Sequence, residues 1–189
     1  GNRKLWEGHD ITAVELDETI AGVYADHYPD DELIIEDAHD FLLNNHQDFD
    51  FVWSSPPCQT HSRLIWARRR KKPKYPDLRL YEEILLLDHI FEGKGWIVEN
   101  VRPWYDYLIE PTVLVGRHVF WSSFEFEIED VPRPKNFVEN SRPQVLKDWL
   151  GIQYEGNIYY GNNHSPEQVL RNCVHPIVGK QILDAFLEN

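Results

Sequence analysis

The chain has 189 residues, 42% of them hydrophobic, seven Trp and a formal net charge of −13. That length and apolar content suit one domain with a real core and exclude an intrinsically disordered chain. The acidic balance argues against a nucleic-acid coat, the lack of any run of about 18 apolar residues excludes a membrane-spanning helix, and two cysteines 115 positions apart, Cys58 and Cys173, make neither a disulfide framework nor a zinc spacing.

Taken in chain order, Asn2 to Glu7 reads as part of a helix. Ile11 to Leu16, an apolar run ending in acid, is predicted as a buried strand. Asp17 caps a helix over 18 to 28 whose Ile20, Val23, Tyr24 and Tyr28 share a face, and Pro29 stops it. Leu33 to Ile35 is a second strand, followed by Glu36-Asp37 and a helix over Ala38 to Asn45. Phe49 to Trp53 is a third strand, ending in Ser54-Ser-Pro-Pro-Cys58-Gln-Thr-His-Ser62, where two prolines cannot continue a ladder and fix the turn.

Eight of the 19 Lys and Arg then fall between Arg63 and Arg79, including Arg68, Arg69, Arg70, Lys71 and Lys72, in a loop broken by Pro73 and Pro76. A local basic loop on an acidic body can contact phosphates, or can simply be a solvated surface run. Leu78 to Phe91 is predicted as a helix, with Leu80, Ile84, Leu87 and Phe91 at helical spacing, and Gly93 and Gly95 end it. Trp96 to Val98 is the fourth strand, closing on Glu99-Asn100. Beyond Pro111, Thr112 to Val115 and His118 to Phe124 form a β-hairpin through Gly116-Arg117, and 125 to 142 is an acidic, proline-containing loop. Short helices over Val145 to Leu150 and Pro166 to Leu170 precede a closing helix, Val174 to Phe186, with Pro176 in its first turn.

Short apolar strands alternating with helices predict an α/β fold built on a mostly parallel sheet covered on both faces. Polar residues follow the strands in turn: Glu15, Asp37, Cys58 and Glu99. In one such sheet they line one edge, where a ligand crevice is expected. Glu15 is placed to accept from ribose hydroxyls and Asp37 from an adenine amine, although acids after strands also cap helices. Cys58 reads either as a small buried hydrophobe or as a nucleophile. Its thiolate can add to an electron-poor ring carbon while Glu99 protonates or hydrogen-bonds a ring nitrogen, a pairing that suits a pyrimidine.

Pro56-Pro57-Cys58-Gln59 with Ser62, followed about 40 residues later by Glu99-Asn100-Val101, resembles the DNA (cytosine-5)-methyltransferases. The likeness runs along nearly the whole chain. Val14-Glu15-Leu16-Asp17, with Tyr24 and Pro29, is similar to the segment around that family's ribose-binding acid, and Glu36-Asp37 to its adenine-binding aspartate. Leu78 to Leu87 resembles the helix before its Glu-Asn-Val strand, Arg142 to Gly151 its late Arg…Leu-Gly segment, and Arg171-Asn172-Cys173-Val174 its closing Gly-Asn-Ser-Val motif. The compact form looks most like phage or prophage methylases.

The resemblance implies a Rossmann-like S-adenosylmethionine-dependent methyltransferase fold in a single catalytic domain with a terminal antiparallel hairpin. It implies methyl transfer to C5 of a cytosine flipped out of double-stranded DNA, with Cys58 attacking C6, Glu99 engaging N3, Asn100 bracing the loop, and Arg117 or His118 filling the role of a hairpin arginine. S-adenosylmethionine would be held by Gly1, Glu15, Leu16, Asp37, Ala38, Pro56, Asn172 and Cys173. DNA would meet Gln59, Ser62, Arg63, Arg68, Arg69, Arg70, Lys71 and Lys72. No metal and no membrane enter this scheme, and the setting would be the cytosol of a bacterium or a phage-infected host.

Three departures qualify it. The chain starts at Gly1, the counterpart of the last glycine of the family's cofactor loop, so the first strand and most of that loop are absent from this sequence and the sheet would lack its central strand. About 17 residues, 125 to 141, stand in place of a target-recognition domain, which leaves specificity slight or borrowed from a partner protein. Arg171 stands where glycine is usual. A tRNA cytosine-5 methyltransferase and a catalytically weak accessory or DNA-binding module remain open alternatives.

Overall fold

A computed structural model describes residues 1–63, 75–137, 142–156 and 165–189. By its internal contacts the chain divides into two compact units, one of residues 1–44 and 131–184, the other of residues 45–130 and 185–189.

In the first unit, a 3-10 turn at Asn2–Leu5 leads to strand β1, Thr12–Val14, helix α1, Glu18–His27, strand β2, Glu32–Ile34, and helix α2, Ala38–Asn45. Asp17 caps α1, its Oδ1 accepting from Thr19 N and Ile20 N. Asp37 does the same for α2, through His39 N and Asp40 N. β1 and β2 pair in parallel with Val14 opposite Ile34. The run Ile11 to Leu16 is predicted as a buried strand, and Leu33 to Ile35 as a second; the strands formed are three residues long and at most half-buried, and Leu16 and Ile35 just beyond them are 66% and 53% exposed. Helix α4, Pro143–Leu150, ends on Gly151, whose φ of 64° is the left-handed cap that glycine adopts without strain. Helix α5, Pro166–Asn172, follows, and then α6, Pro176–Glu188, whose residues from Ala185 on belong to the second unit. Phe137, Leu146, Leu150 and Leu170 form the buried core here, packed against Val23, Trp149, Ile152, Tyr154 and Cys173.

The second unit is built on a four-stranded sheet in the order β3-β4-β6-β5, with β3 Phe51–Ser54, β4 Gly95–Val101, β5 Val113–Val115 and β6 His118–Ser122. β3 runs parallel to β4, β6 antiparallel to β4, and β5 closes the hairpin on β6. Helix α3, Arg79–Ile90, buries Leu80, Ile84 and Leu87, and Phe91 just beyond it, as their spacing predicts. An aromatic cluster of Phe51, Phe124, Phe126 and Phe186 caps one end of the sheet, with Phe186 seated over the bare Cα of Gly95.

The architecture is mixed α/β, and its described strands do not form one continuous sheet. Backbone ladders join the described strands into two separate sets, β1-β2 and β3-β4-β6-β5. β1 and β3 each have a strand on one edge only among the described residues, so no ladder links the sets. Residues 125–137 carry no helix or strand, as predicted for that part of the loop.

Candidate active site

β3 stops at Ser54, opposite Val98, whereas β4 runs on to Val101. The reason is chemical: Pro56 and Pro57 have no N–H with which to continue the ladder. Asn100 takes over where β3 leaves off. Its side chain, 1% exposed, donates from Nδ2 to the Pro56 carbonyl at 2.9 Å and accepts from Val101 N through Oδ1 at 2.9 Å. Asn100, expected to brace the loop, thus hydrogen-bonds directly to the Pro-Pro segment. Beyond it, the carbonyl of Cys58 accepts from His61 N and Ser62 N, both at 3.1 Å, which closes a tight backbone turn after the cysteine.

Glu99 is not at a strand exit, as the spacing suggested. It lies within β4, opposite Phe120 of β6, because the antiparallel partner extends the pairing beyond Val98. Val101 is opposite His118, so Glu99 and His118 are diagonal neighbours on one sheet face. Nδ1 of His118 meets Oε1 of Glu99 at 2.5 Å. The Glu99 residue is 7% exposed.

Burial pushes the Cys58 thiol above its ordinary pKa, the negative charge of Glu99 raises it further, and Arg117 and a backbone hydrogen bond pull it down. Cys58 thus sits in the electrostatic reach of both Glu99 and Arg117. Of the two hairpin candidates, His118 contacts the Glu99 carboxylate, and the positive charge of Arg117 lowers the Cys58 pKa. Cys58, Glu99, Asn100 and Arg117 are all brought together in the second unit. With them the structure places groups that the sequence reading passed over. His61 is 1% exposed and shares a 2.5 Å hydrogen bond with the Tyr105 hydroxyl. Glu83 of α3, 6% exposed, accepts from Ser54 Oγ at 3.1 Å. The only signal for His61 was its place three residues after the cysteine; Tyr105 and Glu83 gave none.

Of the residues expected to meet DNA, Gln59 and Arg63 are exposed, Ser62 is half-buried and bridged to Pro103, and Arg63 Nε donates to the Pro103 carbonyl at 3.0 Å. Arg68, Arg69, Arg70, Lys71 and Lys72 lie outside the described residues. Of those expected to meet the cofactor, Pro56 belongs to the second unit and the rest to the first. There, Gly1 adjoins the closing motif: a Cβ on it would lie 3.4 Å from Val174 O and 3.6 Å from Cys173 Cβ. Asn172 ends α5 beside Cys173. Glu15 is half-buried and its Oε1 accepts from Asp17 N, while Leu16 and Ala38 are exposed. Asp37 serves as the α2 cap through Oδ1.

Among the described residues no group of three or more His, Cys, Asp or Glu is placed to hold a metal ion, and no helix is long and apolar enough to cross a membrane. No protein-family model matches the sequence, and a search of curated proteins returns no match.

Proposed function

We propose that the protein is a DNA (cytosine-5)-methyltransferase with a Rossmann-like catalytic fold, and that Cys58 is its nucleophile. The observation that carries the reading is the coupling of Cys58 to Glu99 and Arg117 in one unit, on a turn braced by Asn100.

The thiolate of Cys58 adds to C6 of the flipped cytosine, and Glu99 stabilises the charge that develops at N3. The electron pair moves to C5, which becomes the carbon nucleophile. After methylation, loss of the C5 proton to a base and expulsion of the thiolate restore the aromatic ring and free Cys58. Proton sharing between Glu99 and N3 also removes the repulsion that Glu99 exerts on the thiol, so substrate binding favours the reactive ionisation state of Cys58.

S-adenosylmethionine, when bound, would supply an electrophilic methyl group to C5, its S–CH3 bond breaking to leave S-adenosylhomocysteine. The residues of the first unit fit the nucleoside part of such a molecule. Glu15 keeps acceptor capacity for vicinal ribose hydroxyls, Asp37 offers a carboxylate to an adenine amine, and the exposed Leu16 and Ile35 give an apolar surface to a base. Gly1, Asn172 and Cys173 complete the set.

The test is transfer of a tritiated methyl group from S-adenosylmethionine to double-stranded DNA. Transfer is expected with the wild-type protein and absent with Cys58→Ser, and persistence in that variant would overturn the mechanism. Preferential labelling of tRNA in the same assay would move the substrate to RNA.

A further inference from the structure

We propose that His61 is a positioning residue for Cys58, the end of a hydrogen-bonded chain that ties the nucleophile's turn to the segment leaving the strand of Glu99. The inference rests on the reading of Cys58 and Glu99 as reaction partners.

The segment after β4 is bonded to the Cys58 turn at several points. Trp104 N donates to His61 O at 3.1 Å, Trp104 Nε1 to Thr60 O at 2.9 Å, and Arg63 Nε to Pro103 O at 3.0 Å. Within this clasp we place the side-chain protons in one consistent sequence. Leu108 N donates to the Tyr81 oxygen at 3.4 Å, and the Tyr81 hydroxyl donates to the Tyr105 oxygen at 3.5 Å. The Tyr105 proton is then directed to His61 Nδ1 at 2.5 Å. Nδ1 accepts, so the ring proton sits on Nε2. That atom is buried and has no hydrogen-bond partner among the described residues. Burial lowers the His61 pKa, which favours the neutral ring and so leaves one ring nitrogen able to accept. Burial also pushes the Tyr105 phenol far above its ordinary pKa, which keeps it a donor.

Stability alone does not ask for a histidine here. A phenyl ring fills similar space without stranding a buried N–H, a donor that costs about 1–3 kcal/mol, but it strands the Tyr105 hydroxyl instead, so the exchange is close to neutral for stability. What a phenyl ring lacks is the Nδ1 acceptor. The cost is explained if the bond to Tyr105 fixes the turn on which the thiol stands, because small displacements of a reacting group are expensive in rate.

The test compares His61→Phe, Tyr105→Phe, the double variant and His61→Asn, whose carbonyl oxygen can stand near the place of Nδ1. Three quantities are read: thermal melting, the rate of Cys58 alkylation by iodoacetamide followed by peptide mass spectrometry, and kcat and KM for methyl transfer. The expected result is melting close to wild type, with alkylation of Cys58 accelerated and kcat lowered by about tenfold at unchanged KM in the two single Phe variants. The double variant is no worse than either single, because both cut one chain, and His61→Asn recovers much of the wild-type behaviour. Unchanged alkylation and kcat in folded variants, or fully additive losses in the double, overturn the proposal. Should His61→Phe fail to fold, Tyr105→Phe, which removes one hydroxyl, gives the decision alone. If the wild type transfers no methyl group, the proposed function fails, while the alkylation rates still decide whether His61 positions Cys58.

Discussion

Nδ1 of His118 lies 2.5 Å from Oε1 of Glu99, across an antiparallel pair of strands in which Glu99 is opposite Phe120 and His118 opposite Val101. The imidazole N–H donates to a carboxylate that is almost out of reach of water, the side chains being 13% and 9% exposed. Such a bond does two things. It satisfies a buried charge, and it fixes the carboxylate's orientation toward whatever else it must bind. Removing one partner leaves the other stranded, a loss of about 1.5–3 kcal/mol for a bond to a charged group. His118→Leu is therefore expected to lower the rate of methyl transfer by about 10–100-fold in single-turnover assays. His118→Asn keeps a donor near the place of Nδ1 and should lose less. Equal rates in the Leu and Asn variants would show that Glu99 does not depend on this donor.

The thiol of Cys58 should titrate above an ordinary cysteine, because burial and Glu99 both raise its pKa from 9.0. Iodoacetamide traps the thiolate, so the pH profile of Cys58 alkylation in the free protein reports this directly. The sign of each neighbour's contribution follows from its charge. Glu99→Gln removes a negative charge and moves the midpoint down. Arg117→Ala removes a positive charge and moves it up. A midpoint that ignores both substitutions would separate Cys58 from the site in which it has been placed. Cys173, whose Sγ contacts the Val169 carbonyl at 3.6 Å, is distinguished in the same experiment by peptide mapping.

Much of this arrangement could be read from the sequence, and the rest fails for identifiable reasons. Helix α2 begins at Ala38 and ends at Asn45 as predicted, because Asp37 caps it and the signal is local. The same holds for α3, whose four apolar positions recur at helical spacing, and for the hairpin, where Gly116 has the φ of 56° that its tight turn requires. Cys58 and Glu99 stood out in the sequence because each follows or fills an apolar run, and both fall in the second unit. The misses are long-range. Nothing local says that β4 continues through Glu99; that depends on β6, nearly twenty residues later. The diagonal register of His118, and the meeting of His61 with Tyr105, 44 positions apart, are likewise set by the fold. The burial expected of β1 and β2 was overestimated because an apolar run cannot report how many neighbours a strand will have. The chemistry of the basic run at 68–72 is legible only as composition, since those residues are not described.

Stability should fall on mild acidification. Burial lowers the pKa of His61, opposed by Asp77, and also that of His175, opposed by its bond to the Trp149 carbonyl. In the unfolded chain both bind a proton near 6.5; in the folded chain they bind it only at lower pH. Below about pH 6.5 the unfolded state therefore holds more protons, and stability declines as pH drops toward the folded values, by at most about 1.4 kcal/mol per pH unit for each histidine. His175 is poised as a neutral ring, with Nε2–H donating to Trp149 O at 2.9 Å and Nδ1 accepting from Ile177 N at 3.2 Å. Melting temperatures measured between pH 7.5 and 5.5 should fall with acid, and fall less in His61→Phe. A flat profile over that range would mean that these rings are protonated as readily folded as unfolded.

Gly179 should tolerate no side chain. A Cβ built on it would lie 2.4 Å from Asn2 O and 2.6 Å from Asn2 Cα, and these are backbone atoms with nowhere to retreat. The contact is reinforced by Trp6, whose Nε1 donates to Gly179 O at 3.0 Å. Gly179→Ala gains helix propensity but must push the Asn2–Leu5 turn off α6. Overpacking of this kind costs about 1–3 kcal/mol, or several degrees of melting temperature for a chain of this size. Gly22→Ala is the control: it lies in α1 with no atom near its would-be Cβ, so the same substitution should leave melting unchanged or raise it.

Asn100 offers the sharpest separation of shape from chemistry. Its amide is used at both ends, Nδ2 on Pro56 O and Oδ1 on Val101 N, in a site with 1% exposure. Asn100→Asp preserves the shape and the acceptor for Val101. It replaces the donor with an oxygen that faces the Pro56 carbonyl, and it brings a carboxyl into a buried site. Asn100→Ala removes both bonds but adds no charge. An unsatisfied buried partner costs about 1–3 kcal/mol, and a buried unpaired charge more. The expected order of melting temperatures is therefore wild type, then Ala, then Asp, although Asp is the closer mimic in shape. Because the bond to Pro56 holds the turn that carries the thiol, both variants should also expose Cys58 to iodoacetamide more readily than wild type. An Asp variant as stable as wild type, with Cys58 equally protected, would show that the Pro-Pro turn holds its place without Asn100.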